Sequence, residues 1–283
     1  MRGERQMLPK GQAKRGRTEQ RMRFGYPTGL TFALTATLTS VCGGVALAAP
    51  MPARPATVAS VKAEPDISGV WERYPGPFLD DDETKLTPPP GKGPDLKEPH
   101  ASEWRAIRNK RQAALTAGTP LVDASTRCLP EGTPGIMEGI YPIQILQNPG
   151  QITVLAELFM QTRRIYLDAP FPAPDDLAPS YFGFSSGHWE GDVLVVETRG
   201  VQKDLEFYDI PHSDAMTITE RYRLTEPDML RLDVSVEDPE YLKTPYSFSW
   251  EYKRNRSYRI PEYVCDHRLD VINPDGTVSM GLK

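Results

Sequence analysis

The chain has 283 residues, 39% of them hydrophobic and 25% charged, which is enough for one sizeable core and too little for three ordinary domains. Its 28 prolines exclude a long helical bundle or a coiled coil. With 33 basic against 38 acidic residues the formal charge is −5, and no basic stripe offers a footprint for nucleic acid, so no nucleic-acid partner is expected.

The first segment reads as an address. Eight bases lie between Arg2 and Arg23, an uncharged run follows over 30–49, and Ala46-Leu47-Ala48 is a small-x-small cleavage site. This pattern predicts a signal peptide over 1–48 and a periplasmic or secreted mature protein, exported by a bacterial cell. The alternative is an uncleaved anchor, but Thr35, Thr37, Thr39, Gly43 and Gly44 make the run short and weak for a span, so no membrane span is expected in the mature chain. Without residues 1–48 the chain keeps 25 bases against 36 acids, an acidic surface suited to solubility.

Residues 49–66, rich in Pro and Ala, are expected to form a flexible linker, and 67–283 a single domain. One short strand is predicted at 67–71. The stretch 80–99, with its acidic cluster and three successive prolines, is irregular. A helix is predicted over 102–116, capped by Ser102 and stopped by Gly118, with Trp104, Ile107, Ala114 and Leu115 laying one face on a larger body.

From Tyr141 the hydrophobic period becomes two. Strands are predicted at 143–147, 151–159, 162–167, 184–189, 193–198, 216–224, 229–236, 246–253 and 258–265. Asn148-Pro149-Gly150, Glu190-Gly191-Asp192 and Thr225-Glu226-Pro227-Asp228 are turn signals between them. Short strands in succession with local turns predict a mainly β protein, an antiparallel meander closed as a barrel, with a β-sandwich as the alternative and the helix packed outside.

The faces follow from alternation. Leu230, Leu232, Val234 and Val236 point to a core; Tyr246, Phe248, Trp250 and Tyr252 form an aromatic row; Glu220 shares an apolar face with Ile218 and Tyr222. In an oxidising compartment the two cysteines of the mature chain, Cys128 and Cys265, are expected to form a disulfide; two separate buried thiols are the alternative.

Two resemblances add to this. Asp66-Ile67-Ser68-Gly69-Val70-Trp71, with Gly-x-Trp on an early strand before a β meander, resembles the start of calycin (lipocalin-type) barrels. That resemblance implies that a late Arg, here Arg256 or Arg259, closes the barrel end over the Trp. From Cys128 onward, Cys128-Leu129-Pro130, the run from Gly187 to Val196, Pro211-His212-Ser213-Asp214-Ala215 and Glu262-Tyr263-Val264-Cys265 are similar to a group of uncharacterised secreted bacterial β-rich proteins, which implies fold and export and no reaction.

Candidate chemistry concentrates in two places. His212 closes a long irregular loop, and Asp214 two residues on is placed to orient its ring for proton transfer; a turn held by local bonds is the plainer reading. Glu220, stranded among apolar residues, is either a general acid or the partner of Arg163 or Arg164. His188, Glu190 and Asp192 have metal-ligand chemistry, but they sit in a turn signal, and no metal site is expected. Gly183-Phe184-Ser185-Ser186-Gly187 matches Gly-x-Ser-x-Gly without the strand-then-helix context of a nucleophile elbow.

The function expected is binding of a small, partly apolar molecule, without cofactor, through Arg163, Arg164, Tyr222, Tyr246, Phe248, Trp250 and Tyr252. The alternatives are a cofactor-free isomerase, lyase or hydrolase using His212, Asp214 and Glu220, and a structural envelope protein whose barrel is filled by its own side chains.

Overall fold

A computed structural model describes residues 64–76, 85–205, 207–266 and 270–280. The expected signal peptide and most of the expected linker lie outside the described residues. Nine strands close into a barrel: β1 (Gly69–Tyr74), β2 (Ile143–Asn148), β3 (Gln151–Ala156), β4 (Thr162–Leu167), β5 (Phe184–Glu190), β6 (Val193–Arg199), β7 (Thr217–Glu226), β8 (Met229–Glu237) and β9 (Tyr246–Arg254). β1 pairs antiparallel with both β2 and β9, which closes the circle. A separate pair, β10 (Asp270–Ile272) and β11 (Val278–Met280), completes the strands among the described residues.

The turn signals act as expected. Asn148 pairs with Gln151 around Pro149-Gly150, and Glu190 with Val193 around Gly191-Asp192. Gly150 and Gly191 take φ of +77° and +67°, the left-handed geometry that a tight hairpin demands.

The meander is not wholly antiparallel. β4 and β5 pair in parallel, Ile165 opposite Ser185. The long 168–183 connection carries the chain back to start β5 in the same direction as β4. The strand expected at 258–265 is absent: that stretch, with Pro261 and the charges Arg259 and Glu262, joins no ladder. Its Cys265 nevertheless bonds Cys128, with Cα atoms 5.8 Å apart.

The helix α1 (His100–Thr116) begins two residues earlier than expected and has no side-chain cap; the Ser102 hydroxyl donates to Glu98 at 2.6 Å instead. Gly118, at φ +70°, follows its end. Its Trp104 donates an indole hydrogen bond to the Tyr208 carbonyl at 3.0 Å, while Ile107 is exposed.

The core fills the barrel. Leu230, Leu232, Val234 and Val236 of β8 and the four aromatics of β9 are buried, and their intervening neighbours on β9 are exposed. Trp71 is fully buried and donates to the Ile67 carbonyl at 3.0 Å. The cation above its ring is Arg254, 4.3 Å from the centroid. Arg256 and Arg259, expected there, lie beyond β9, and Arg256 pairs with Asp228 at 2.5 Å. Residues 132–137, all buried, pack against inward-facing side chains: the Tyr252 hydroxyl donates to the Met137 carbonyl. Gly132 makes this possible, since a Cβ there would collide with the Tyr181 carbonyl oxygen and φ is +64°.

Candidate functional site

At mid-height of the barrel, Glu220, Val234 and Phe248 stand in register on β7, β8 and β9. Glu220 is fully buried, as the apolar face of β7 requires, and its carboxylate receives both terminal nitrogens of Arg163 on β4, with Nη1 to Oε1 at 2.9 Å. The Tyr222 hydroxyl donates to the same Oε1 at 2.9 Å. Arg163 Nη2 also donates to Thr198 at 3.0 Å and to Ser185 at 3.1 Å, and those two hydroxyls lie 2.8 Å apart. The network spans four adjacent strands and leaves the guanidinium and carboxylate saturated. Burial and the neighbouring Glu220 charge push the Tyr222 phenol well above its ordinary range.

This placement decides several expected roles. Arg163 and Tyr222 hold Glu220 and are spent on it. Arg164, one residue on, points to the exposed face, because strand alternation turns it away from Ile165 and the interior. Ser185 belongs to the network on strand β5 and has no helix after it, so the elbow reading falls. His188 and Glu190 are exposed, 3.3 Å apart, and Glu190 is taken by Arg221 at 2.6 Å.

His212 lies elsewhere, at the end of the barrel where β9 begins. Asp214 is not its partner: that carboxylate is exposed and pairs with Lys203 at 2.7 Å. Instead Asp238, buried at the end of β8, fixes the His212 loop. It accepts from the Ser213 amide at 2.6 Å, the Ser213 hydroxyl at 2.8 Å and the Glu240 and Tyr241 amides at 3.0 and 3.1 Å. His212, Asp214 and Glu220 therefore do not converge.

His212 lines a cavity of about 30 Å³ walled by Leu205, Phe207, Ile210, Met216 and Leu242, with Tyr246 from the aromatic row. That volume holds one or two waters. His212 Nδ1 lies 3.2 Å from the Ser213 carbonyl, a contact that in the neutral ring puts the proton on Nδ1 and leaves Nε2 as the acceptor. Nε2 is buried and has no partner. Of the expected aromatic row, Tyr246 alone lines the cavity. Phe248 and Trp250 are covered by the Phe207 ring, at 5.9 and 6.5 Å between centroids. Tyr252 is committed to Met137.

A second group of charges escaped the sequence reading. Arg73 of β1 lies over the Trp250 and Tyr252 rings at 5.2 and 5.9 Å and donates to the Glu138 carbonyl at 3.0 Å. Burial raises the Glu138 carboxyl to about 8 against the pull of Arg73, and raises Glu131 to about 7. Both lie in a Gly- and Pro-rich connection without hydrophobic period, which gave no signal to read. Among the described residues no group of three or more His, Cys, Asp or Glu side chains is placed to hold a metal, and no helix is long and apolar enough to cross a membrane.

No protein-family model and no curated protein sequence matches the chain.

Proposed function

We propose that this protein binds a compact, partly apolar molecule bearing a hydrogen-bond donor, seated where Phe207 now covers the aromatic row, with its donor on His212 Nε2. The observation that carries this is the buried, unpartnered Nε2 on a mostly apolar cavity, whose other polar lining residues include Thr133 and Asp238. A buried acceptor left alone costs about 1–3 kcal/mol, and a ligand hydroxyl or amine removes that penalty. The cavity as it stands is far below the ~300 Å³ of a small-molecule site, so binding displaces Phe207. Phe207 opens the 207–210 turn, in the connection between β6 and β7. Leaving, it uncovers Phe248 and Trp250.

Export to the periplasm or beyond belongs to the same proposal. It is supported by the charge pattern of 1–48 and by the Cys128–Cys265 bond, a linkage that persists in oxidising compartments.

The test is mass spectrometry of small molecules released from the natively purified chain, joined to a Trp-fluorescence titration with neutral N-phenylnaphthylamine. A stoichiometric, partly apolar passenger, or saturable uptake strengthened by Phe207→Ala and a passenger or donor-bearing analogue weakened by His212→Phe, supports the proposal. No passenger, and no saturable uptake by wild type or Phe207→Ala, overturns it.

A further inference from the structure

Outside the barrel, a groove of about 260 Å³ runs between α1, residues 120–123 and the 207–210 turn. Arg108 and Arg111 of α1 line it with Asp209, below apolar walls from Leu86, Leu115 and Leu121. The helix presents Trp104, Arg108 and Arg111 four and three residues apart, one face of an α-helix, to the turn. Asp209 accepts from Arg111 Nε at 2.6 Å, yet lies 3.6 Å from Arg108 Nη1, an ion pair too long for a hydrogen bond. Asp209 is confined, its side chain 9% exposed and its φ +57°. Arg108 has the Thr87 carbonyl at 2.6 Å on its other terminal nitrogen. The fourth charge of the groove, Asp123, is satisfied by its own turn, accepting from Ser125 at 2.7 Å and the Thr126 amide at 2.9 Å. Among the described residues, the Asp209 carboxylate thus faces both guanidiniums and reaches hydrogen-bond distance only of Arg111, which also donates to the Val122 carbonyl at 3.1 Å.

We propose that this groove is a binding site for a small oxyanion, a carboxylate or phosphate group, held by Arg108 with Asp209 as the competing internal anion. A planar guanidinium short of acceptors matches an oxyanion in a two-point pair, and the apolar walls accommodate a short carbon body attached to it. The site is separate from the His212 cavity and does not rest on the reading given for it.

Calorimetric titration of the full chain with inorganic phosphate and, separately, acetate tests this. Saturable uptake of either anion near or below about 1 mM is expected. Phosphate uptake without acetate points to a phosphate group, and the reverse to a carboxylate. Arg108→Gln is expected to weaken uptake at least tenfold, and Arg108→Lys less. Asp209→Asn, which removes the competitor, is expected to tighten it several-fold. Arg105→Gln, at an exposed residue paired with Glu98 at 3.0 Å, is expected to leave it unchanged. Circular dichroism reports whether each variant folds. Failure of the wild type to take up either anion, or equal uptake by folded Arg108→Gln, overturns the proposal; should Arg108→Gln not fold, equal uptake by wild type and Asp209→Asn overturns it.

Discussion

The Arg163 guanidinium and the Glu220 carboxylate face each other in a two-point pair with both side chains 0% exposed. Such a pair contributes little net stability against an apolar replacement, because desolvation offsets the attraction, but breaking it strands a buried charge. Glu220→Ala is expected to destabilise the fold by about 3–5 kcal/mol in urea unfolding. Arg163→Met with Glu220→Leu is expected to recover most of that loss. A double variant as unstable as the single one refutes this account.

Stability is expected to fall as pH rises from about 5 to 8. The Glu131 and Glu138 carboxyls, lifted by burial from an ordinary 4.5 to about 7 and about 8, hold protons in the folded chain that the unfolded chain has released. A raised acid makes the native state the better proton binder, so the slope of unfolding free energy with pH is negative across that window. The effect is on the order of 3 kcal/mol, since both groups keep some contact with solvent. Glu138→Gln should flatten the profile of thermal midpoint against pH; an unchanged slope counts against the assignment.

Reduction is expected to cost stability heavily. The Cys128–Cys265 bond closes a loop of 137 residues, for which chain entropy predicts about 4–5 kcal/mol. Cys128→Ser with Cys265→Ser should show that loss in denaturant. A loss below about 1 kcal/mol would place the stabilisation elsewhere.

Gly132→Ala is expected to disrupt the barrel interior, because the added methyl meets the Tyr181 carbonyl and the Leu205 side chain while φ is +64°. A cost of at least about 3 kcal/mol is expected from overpacking and backbone strain together. Near-wild-type stability would mean that 132–137 can shift without loss.

Much of this was legible in the chain. The alternation on β8 and β9 named the core, and the isolation of Glu220 among Ile218 and Tyr222 named a buried carboxylate. Its partner was open between Arg163 and Arg164, although Ile165 shares a face with Arg163 and could have decided it. What stayed hidden follows from the absence of period. Glu131, Glu138 and the 132–137 segment lie between glycines and prolines, where neither a period of two nor of 3.6 applies. Strand direction is also silent in alternation, so the parallel β4–β5 pair had no local signature. Asp238, which holds the His212 loop, is 25 residues from Ser213, farther than a local His-x-Asp pattern can look.

The four residues 207–210 form a party wall. Phe207 and Ile210 belong to the His212 cavity, and Tyr208 and Asp209 to the outer groove. Whatever moves this wall from one side is felt on the other, and thermodynamics makes such influence mutual: if an occupant of the groove eases access to the interior tenfold, an occupant of the interior must favour the groove tenfold in return.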